Sequence, residues 1–169
     1  MKHWSKFLIS VISLMISTLT WADIRLSLYE TTEQGQGTPA GSILISETPY
    51  GLLFTPQLIN LSPGIHGFHI HEHPLCNQNG MAAGGHFDPK HTNKHLGPYN
   101  NKGHLGDLPA LYVNADGTVT LPVLAPRIKR LAQIKNHALM VHAGGDNYAD
   151  VPQKLGGGGS RMVCGVIKP

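Results

Sequence analysis

GFHIH at residues 67–71 opens a stretch, His66 to Asp107, that holds eight of the chain's eleven histidines. Side chains two apart on a β-strand point to the same face, so His69 and His71 can converge on one ion. This pattern predicts a metal site carried by a strand, and the rest of the chain is interpreted from it.

The histidines beyond this strand lie in a segment without strand or helix periodicity. His86, His95 and His104 follow one another at intervals of nine residues, and residues 76–108 are rich in glycine, proline and asparagine. A structureless connection of this length is unusual in a compact domain. We therefore predict a loop folded around metal. Imidazole ligands favour copper, zinc, iron or nickel over calcium, and copper and zinc are the leading candidates.

Short apolar runs that alternate with period two flank the loop on both sides and predict strands. Before the loop these are residues 24–28, 42–46 and 52–58, with connections at 31–39 and 48–51. After it they are residues 110–114, 118–124, 137–142 and 161–167, with an Asp-Gly turn at 115–117 and one helical turn within 126–136. About eight strands and almost no helix predict an all-β, antiparallel sandwich or barrel.

The N-terminal residues have the pattern of an export signal. Two lysines precede an apolar run at residues 7–19, and small residues follow at 20–22, so we assign residues 1–22 to a signal peptide. An uncleaved membrane anchor is the alternative, although the run is short for a span. The length of 169 residues and 41% hydrophobic content support one domain, residues 23–169, with no stable membrane association after cleavage.

The charge balance gives no reason to expect a polyanionic partner such as nucleic acid. Without the leader, 11 basic and 10 acidic side chains remain. One basic group is interpreted as a solvated face and not as a binding patch. Its members are Arg127, Lys129, Arg130 and Lys135.

Cys76 and Cys164 are the only two cysteines, and export to an oxidising compartment predicts a disulfide between them. The bridge would tie the loop after His71 to the last strand. Closing a loop of this length removes roughly 4 to 5 kcal/mol of unfolded-state entropy in the chain-entropy model.

The GGGGS run at residues 156–160 has the composition of a flexible linker, yet only nine residues follow it. A linker to so little chain is a poor interpretation. We predict instead a glycine turn where backbones or a ligand approach closely.

Six motifs together resemble the copper, zinc superoxide dismutases, especially their exported bacterial branch. They are GFHIH at 67–71, GHF at 85–87, HLGP at 95–98, HLGD at 104–107, HAGGD at 142–146 and GSRMVCGV at 159–166. The resemblance covers nearly everything from Gly41 onward. It implies a Greek-key β-sandwich or flattened barrel with long metal-binding and electrostatic loops, a periplasmic location, a role in antioxidant defence and a possible homodimer.

Carried over by position, the resemblance implies one copper and one zinc per subunit. The implied copper ligands are His69, His71, His86 and His142, and the implied zinc ligands are His86, His95, His104 and Asp107. His86 would bridge the two metals as an imidazolate. Four imidazoles suit Cu(II), while three imidazoles and a carboxylate suit a closed, tetrahedral, structural zinc site.

The resemblance assigns further roles around these ligands. Asp146 would hydrogen-bond one copper-bound and one zinc-bound histidine. Arg161 would guide the superoxide anion, and His86 would carry a proton, which makes these two the catalytic side chains. His66 is expected to support the fold. Three histidines are left outside the site: His73, His91 and His137, with competition of His91 for zinc as the alternative.

We interpret the chain as an enzyme that converts superoxide to dioxygen and hydrogen peroxide by alternating reduction and reoxidation of copper. A sandwich protein that only binds or carries copper is the first rival, which loss of a copper ligand or of Arg161 would favour. Every such position is present. A zinc hydrolase is the second rival, but no base stands beside an open zinc position.

Overall fold

The structure, a computed structural model, describes residues 22–169 and is built from strands. In this part of the chain there are nine: β1 (Asp23–Thr32), β2 (Gly35–Thr48), β3 (Gly51–Leu58), β4 (Gly64–His66), β5 (Phe68–His71), β6 (Leu111–Val113), β7 (Val123–Ala125), β8 (His137–His142) and β9 (Arg161–Ile167). Three short 3-10 helices lie between them, at Met81–Ala83, Leu131–Gln133 and Lys154–Gly157.

The predicted signal peptide falls outside the described residues except for its last position, so its boundary stays a prediction. From residue 22 to residue 169, no helix has the length and apolar character needed to cross a membrane.

Seven strands form one antiparallel sheet in the order β5-β8-β9-β1-β2-β3-β7, and β4 pairs with β6 as a separate ribbon. The sheet curls into a half-barrel. Strands far apart in sequence become neighbours, as β9 does with β1, which is the arrangement of a Greek-key sandwich. The predicted all-β, Greek-key fold is confirmed.

Alternation places one face of each strand in the core and connects the core to the histidines. In β5, Phe68 and Ile70 are fully buried in the hydrophobic core, and the Phe68 ring meets the Phe54 ring edge to face at 5.5 Å. Burial of side chains of this size stabilises by about 1.5 to 3 kcal/mol each. The intervening His69 and His71 must then face away from that core, so core packing fixes the face on which both histidines project.

Two predicted segments differ from the structure. Pairing of β1 with β2 continues to Thr32 and Gly35, so the predicted connection at 31–39 shrinks to two residues; the Gly35 N–H donates to the Thr32 hydroxyl there. The predicted strand at 118–124 is also wrong over most of its length, because only residues from Val123 onward belong to a strand, with an isolated bridge at Val119. Pro122 lies in the gap between them, and Pro56 lies in β3 between the two residues that pair with this segment, Phe54 and Leu58; neither proline has an N–H to donate.

Candidate metal centre

The free edge of β5 is where two loop segments dock. The Ile70 N–H donates to the Gly106 carbonyl oxygen at 2.9 Å, and the Phe87 N–H donates to the Ile70 carbonyl oxygen at 2.8 Å. A Cβ on Gly106 would overlap the Ile70 carbonyl oxygen, so only glycine permits this approach. The long loop is thereby held as backbone partner of the histidine strand.

This docking sets histidines from distant parts of the loop side by side. Isolated β-bridges pair His71 with His86 and His69 with Asp107. On the other edge of β5, β8 pairs in antiparallel register and ends at His142. Backbone hydrogen bonding therefore converts widely spaced sequence positions into one cluster of side chains.

Two groups of four side chains result, and His86 belongs to both. The first cluster is His69, His71, His86 and His142, and the second cluster is His86, His95, His104 and Asp107. Within each, the possible ligand atoms lie within 4.8 Å of one another and every residue is buried. The structure thus brings together the side chains of both sets that the family resemblance implies.

In the first cluster, main-chain carbonyls fix the orientation of two rings. The Nδ1–H of His71 donates to the Gly84 carbonyl oxygen at 3.0 Å, and that of His142 donates to the Gly159 carbonyl oxygen at 3.3 Å. Each ring then presents its Nε2 lone pair, and the two Nε2 atoms face each other 3.2 Å apart. Two facing lone pairs repel unless a cation lies between them, so the arrangement fits a metal ion.

Asp146 orients one ring of each cluster. Its Oδ2 accepts from His69 Nε2 at 2.8 Å, and its Oδ1 accepts from His95 Nε2 at 2.7 Å. The Nδ1 atoms of both rings are buried without a hydrogen-bond partner. A Cβ on Gly156, whose φ is 72°, would overlap Oδ1 of Asp146. The glycine run is therefore a turn packed on the site, which confirms the interpretation of a close approach.

The second cluster converges on one carboxylate oxygen. Oδ1 of Asp107 lies 3.0 Å from His86 Nδ1, 3.0 Å from His95 Nδ1 and 3.4 Å from His104 Nδ1. The Nδ1 atoms of His95 and His104 are buried yet make no hydrogen bond despite this proximity. His86 Nδ1 forms a hydrogen bond with that oxygen. Three ring nitrogens and one carboxylate oxygen that meet in this way form a donor set that suits tetrahedral zinc.

Burial keeps the rings of the first cluster neutral. It lowers the pKa of His69 and His71 well below the ordinary value and lowers that of His142 to about 4. Burial also lowers the pKa of His86, and Asp107 opposes that effect only in part. Neutral imidazole is the form that binds one metal, so His69, His71 and His142 need lose no proton to bind. His86, which belongs to both clusters, would have to lose its remaining N–H proton to bind two metals.

The second cluster has the opposite electrostatics. Burial disfavours the charged form of His95, but contacts with Asp107 and Asp146 outweigh it and raise the pKa of His95 to about 9. Burial likewise opposes ionisation of Asp107, yet its contacts with the cluster histidines hold its pKa well below the usual range. An ionised carboxylate therefore stands among the rings.

Arg161 lies beside the first cluster. Its guanidinium is half-buried and donates to the carbonyl oxygens of Gly80 at 2.5 Å and Gly84 at 2.6 Å. Gly84 is also the acceptor for His71. The predicted disulfide is present, and it joins Cys76, at the start of this segment, to Cys164 in β9. The bridge thus supports the segment that fixes both Arg161 and His71.

The remaining described histidines lie outside both clusters. The ring nitrogens of His66 are 2.7 Å from the carbonyl oxygens of His142 and Ser62, which confirms its structural role. His73 and His91 are exposed, and the latter joins neither cluster. His137 Nδ1–H donates to the Glu72 carbonyl oxygen.

The interpretation of the basic group as a solvated face is wrong for Arg127. Its side chain is partly buried and donates to carbonyl oxygens of the loop that carries the second cluster, those of Asp107 and His104 included. Lys129 and Arg130 are exposed as predicted. Carbonyl acceptors leave no trace in a sequence, so nothing there distinguished Arg127 from its neighbours.

Together, the half-barrel and two adjoining histidine clusters define a β-sandwich metalloprotein with a shared ring. Residues 39–167 match the profile of the family described as copper/zinc superoxide dismutase. The chain belongs to the copper/zinc superoxide dismutase family, which confirms the resemblance.

Several bacterial relatives match along most of their length. Cu-Zn superoxide dismutase 1 of Salmonella typhimurium is 54% identical over 169 residues, 95% of this chain and 93% of the relative. The Cu-Zn superoxide dismutase of Francisella tularensis is 59% identical over 135 residues, 75% and 72% of the two chains.

Solved structures of superoxide dismutases also have a fold similar to that of this chain. The Cu/Zn superoxide dismutase from Brucella abortus is 50% identical, with a TM-score of 0.83 and coverage of 87% of this chain and 100% of that one. The monomeric copper, zinc superoxide dismutase from Salmonella enterica is 51% identical with a TM-score of 0.78 and the same coverage.

Proposed function

We propose that this enzyme dismutes superoxide at a copper ion held by the first cluster, next to a zinc ion held by the second. Membership of the family supports superoxide dismutase activity that depends on copper and zinc, as the sequence analysis predicts. The observation that carries the assignment of residues is the sharing of His86. Its Nδ1 faces Asp107 at 3.0 Å, which leaves Nε2 for the all-histidine cluster.

His86 can carry the proton that the reaction needs. Bound copper supplies the one-electron chemistry, and two superoxide ions with two protons give one dioxygen and one hydrogen peroxide. Nε2 of His86 can take up a proton and give it to the reduced substrate, because the ring remains held at Nδ1 on the side of the second cluster. Asp107 stays beside Nδ1 and keeps the ring oriented while Nε2 gains or loses the proton.

Arg161 can attract and place the anion. Its charge lies beside His71, since both side chains donate to the Gly84 carbonyl oxygen. A guanidinium fixed in this way presents its remaining donors to a small anion without first becoming ordered.

The second cluster supplies a closed site. Three imidazoles and one carboxylate complete a tetrahedral zinc shell and leave no position for substrate, so zinc would be structural. The Asp146 carboxylate links the two clusters through His69 and His95 and orients both rings.

Reconstitution with defined metals tests the proposed function. Metal-free protein is loaded with zinc alone or with copper and zinc, and superoxide consumption is measured beside His71→Ala. Only wild-type protein with both metals should be active. Equal activity with zinc alone, or none with both metals bound, would refute the proposal.

We further propose export to the periplasm after removal of residues 1–22. Strand β1 begins at Asp23, so cleavage after Ala22 would leave the whole strand intact. Intact-mass measurement of protein from a periplasmic extract should give a chain that starts at Asp23. Retention of Met1 in that fraction would contradict this.

The homodimer remains a proposal, supported by an exposed apolar pair on the β4–β6 ribbon. Ile65 and Tyr112 face each other across the two strands and are 60% and 53% exposed. The Salmonella enterica relative is described as monomeric, so the question needs its own measurement. Light scattering should give a dimer mass that Tyr112→Glu reduces to the monomer, and a wild-type monomer would refute the proposal. The function proposed here includes neither a nucleic acid partner nor stable association with a membrane.

A further inference from the structure

The guanidinium of Arg127 donates hydrogen bonds to the backbone of the loop segment 98–107. Its five hydrogen bonds all go to main-chain carbonyl oxygens. They run from Nε to Pro98 at 2.8 Å, from Nη1 to Asn100 at 2.8 Å and Gly103 at 3.3 Å, and from Nη2 to His104 at 2.5 Å and Asp107 at 3.4 Å. A guanidinium has five N–H donors in a fixed fork, so the segment uses every nitrogen of it.

The segment depends on this cation for its shape. Carbonyl dipoles that point at one centre repel one another unless a positive charge occupies it. Segment 98–107 belongs to neither a helix nor a strand. Within the segment, backbone hydrogen bonds run from Gly103 to Asn100 and from Asp107 to His104, and both are long at 3.4 Å. Shorter ones join its His104 N–H and its Gly106 to other parts of the chain, but they do not use the carbonyls that Arg127 binds. Arg127 is therefore the principal fixed point for these carbonyls.

The base of the Arg127 side chain is itself immobilised. The next residue, Ile128, is 1% exposed in the core, and its carbonyl oxygen accepts from the Leu52 N–H at 2.9 Å. Because its backbone is anchored at the core, Arg127 holds the loop carbonyls in a fixed position relative to the core.

Two of the five acceptors belong to His104 and Asp107, whose side chains lie in the second cluster. We propose that Arg127 is a positioning residue for zinc, which holds segment 98–107 in the zinc-binding conformation before the metal arrives. This rests on the proposed assignment of zinc to the second cluster. Arg127 acts from the backbone side and touches neither metal nor substrate.

The chemistry requires arginine at this position. Lysine would keep the charge but offers a single nitrogen, which cannot span acceptors contributed by five residues. Glutamine would remove the charge and most of the donors. Arg127→Lys and Arg127→Gln therefore separate the contribution of charge from that of geometry.

Arg130 provides the matched control. It carries the same charge three residues further on, and its guanidinium pairs with Glu47 at 2.9 Å, whereas the five hydrogen bonds to the loop carbonyls described above come from Arg127. Arg130→Gln removes one positive charge from the same region and leaves in place the five hydrogen bonds that Arg127 donates to segment 98–107.

The test is zinc affinity in copper-free protein, measured by competition with a chelator. Loss of an orienting partner of a metal ligand typically costs about 10 to 100-fold in affinity, so we expect this weakening in Arg127→Gln, a smaller one in Arg127→Lys and none in Arg130→Gln. Hydrogen exchange in metal-free Arg127→Gln should speed up in residues 98–107 and stay unchanged in the central strands. Cobalt in the second cluster should show a weakened tetrahedral absorption band.

Wild-type zinc affinity in Arg127→Gln would overturn the proposal. A general loss of protection across the sheet, with copper and zinc affinity lowered equally, would also overturn it, because the role would then be structural. If Arg127→Gln fails to fold, Arg127→Lys decides, and unchanged zinc affinity and loop exchange there would refute the proposal. Failure of the zinc assignment itself would show differently, as wild-type protein with no zinc at the second cluster.

Discussion

The two clusters share one ring, yet they are supported in different ways. In the first, His71 and His142 rest on main-chain carbonyls and no carboxylate is among the four members. In the second, an ionised Asp107 lies among three ring nitrogens, and the pKa of His95 is raised to about 9. The first cluster is therefore a set of neutral rings, two of them oriented by the backbone, whereas the second holds a negative charge that a proton or a cation must balance.

The largest expected effect separates copper from zinc. His71→Ala should lower superoxide consumption by more than about 100-fold, beyond the 10 to 100-fold typical of an outer partner, because it removes a side chain of the copper cluster. Zinc content should stay near that of wild type. Asp107→Ala should chiefly lower zinc content and thermal stability.

The copper and zinc contents of His71→Ala and Asp107→Ala are measured after both proteins have been loaded with metal in the same way. Equal loss of both metals in each variant would mean that the clusters do not act as separate sites. His86→Ala is the exception and should affect both metals, since this ring belongs to both clusters.

Asp146→Ala should weaken both clusters, by about 10 to 100-fold in affinity, because it frees one ring of each to rotate. Chelator competition for copper and for zinc measures this. Asp116→Ala, which removes a carboxylate from a surface turn, is the control and should leave both affinities unchanged. An effect on only one metal would show that Asp146 does not couple the clusters.

Arg161→Ala should act on substrate encounter alone, with a roughly tenfold lower rate at low salt and a flatter salt dependence, because electrostatic steering is worth about 10 to 1,000-fold. Arg161→Lys should fall between this variant and wild type, since it keeps the charge and loses the fork. Rates are compared at confirmed copper occupancy, with the copper spectrum as control. Equal low-salt rates would reduce Arg161 to an ordinary surface residue.

The smallest effect concerns pH. The raised pKa of His95 means that metal-free protein holds this proton from about pH 6.5 up to about 9, and zinc must displace it. Zinc affinity should therefore rise with pH across this window, by at most about tenfold per unit. Copper affinity of the first cluster should be flatter there, because its rings are already neutral. Chelator competition at pH 7, 8 and 9 measures both affinities. If the zinc and copper affinities changed equally with pH, the proposed electrostatic difference between the clusters would be wrong.

Local pattern was sufficient for some features and not for others. The alternation around His69 and His71 gave their common face directly, and the absence of periodicity after residue 76 gave the long loop. β6 lies within the strand predicted at residues 110–114, whereas β4 was not predicted as a separate strand, because three residues carry no measurable period. The predicted strand at 118–124 contains Pro122, which has no N–H to donate, and the structure pairs this segment only at Val119 and from Val123 onward.

Two arginines show the same limit at the site. Arg161 was identified through a family motif, whereas Arg127 stood in a basic run without one. Both donate to main-chain carbonyls beside a metal cluster. Such acceptors are present at every position of a chain, so only the fold reveals which of them converge.

The central claim is that His86 divides two chemically different metals between its two nitrogens. Anomalous diffraction from crystals of protein loaded with copper and zinc, recorded on both sides of each absorption edge, tests it most directly. We predict one copper peak among His69, His71, His86 and His142, and one zinc peak among His86, His95, His104 and Asp107. A single peak, the reverse assignment, or a metal bound without His86 would contradict the account.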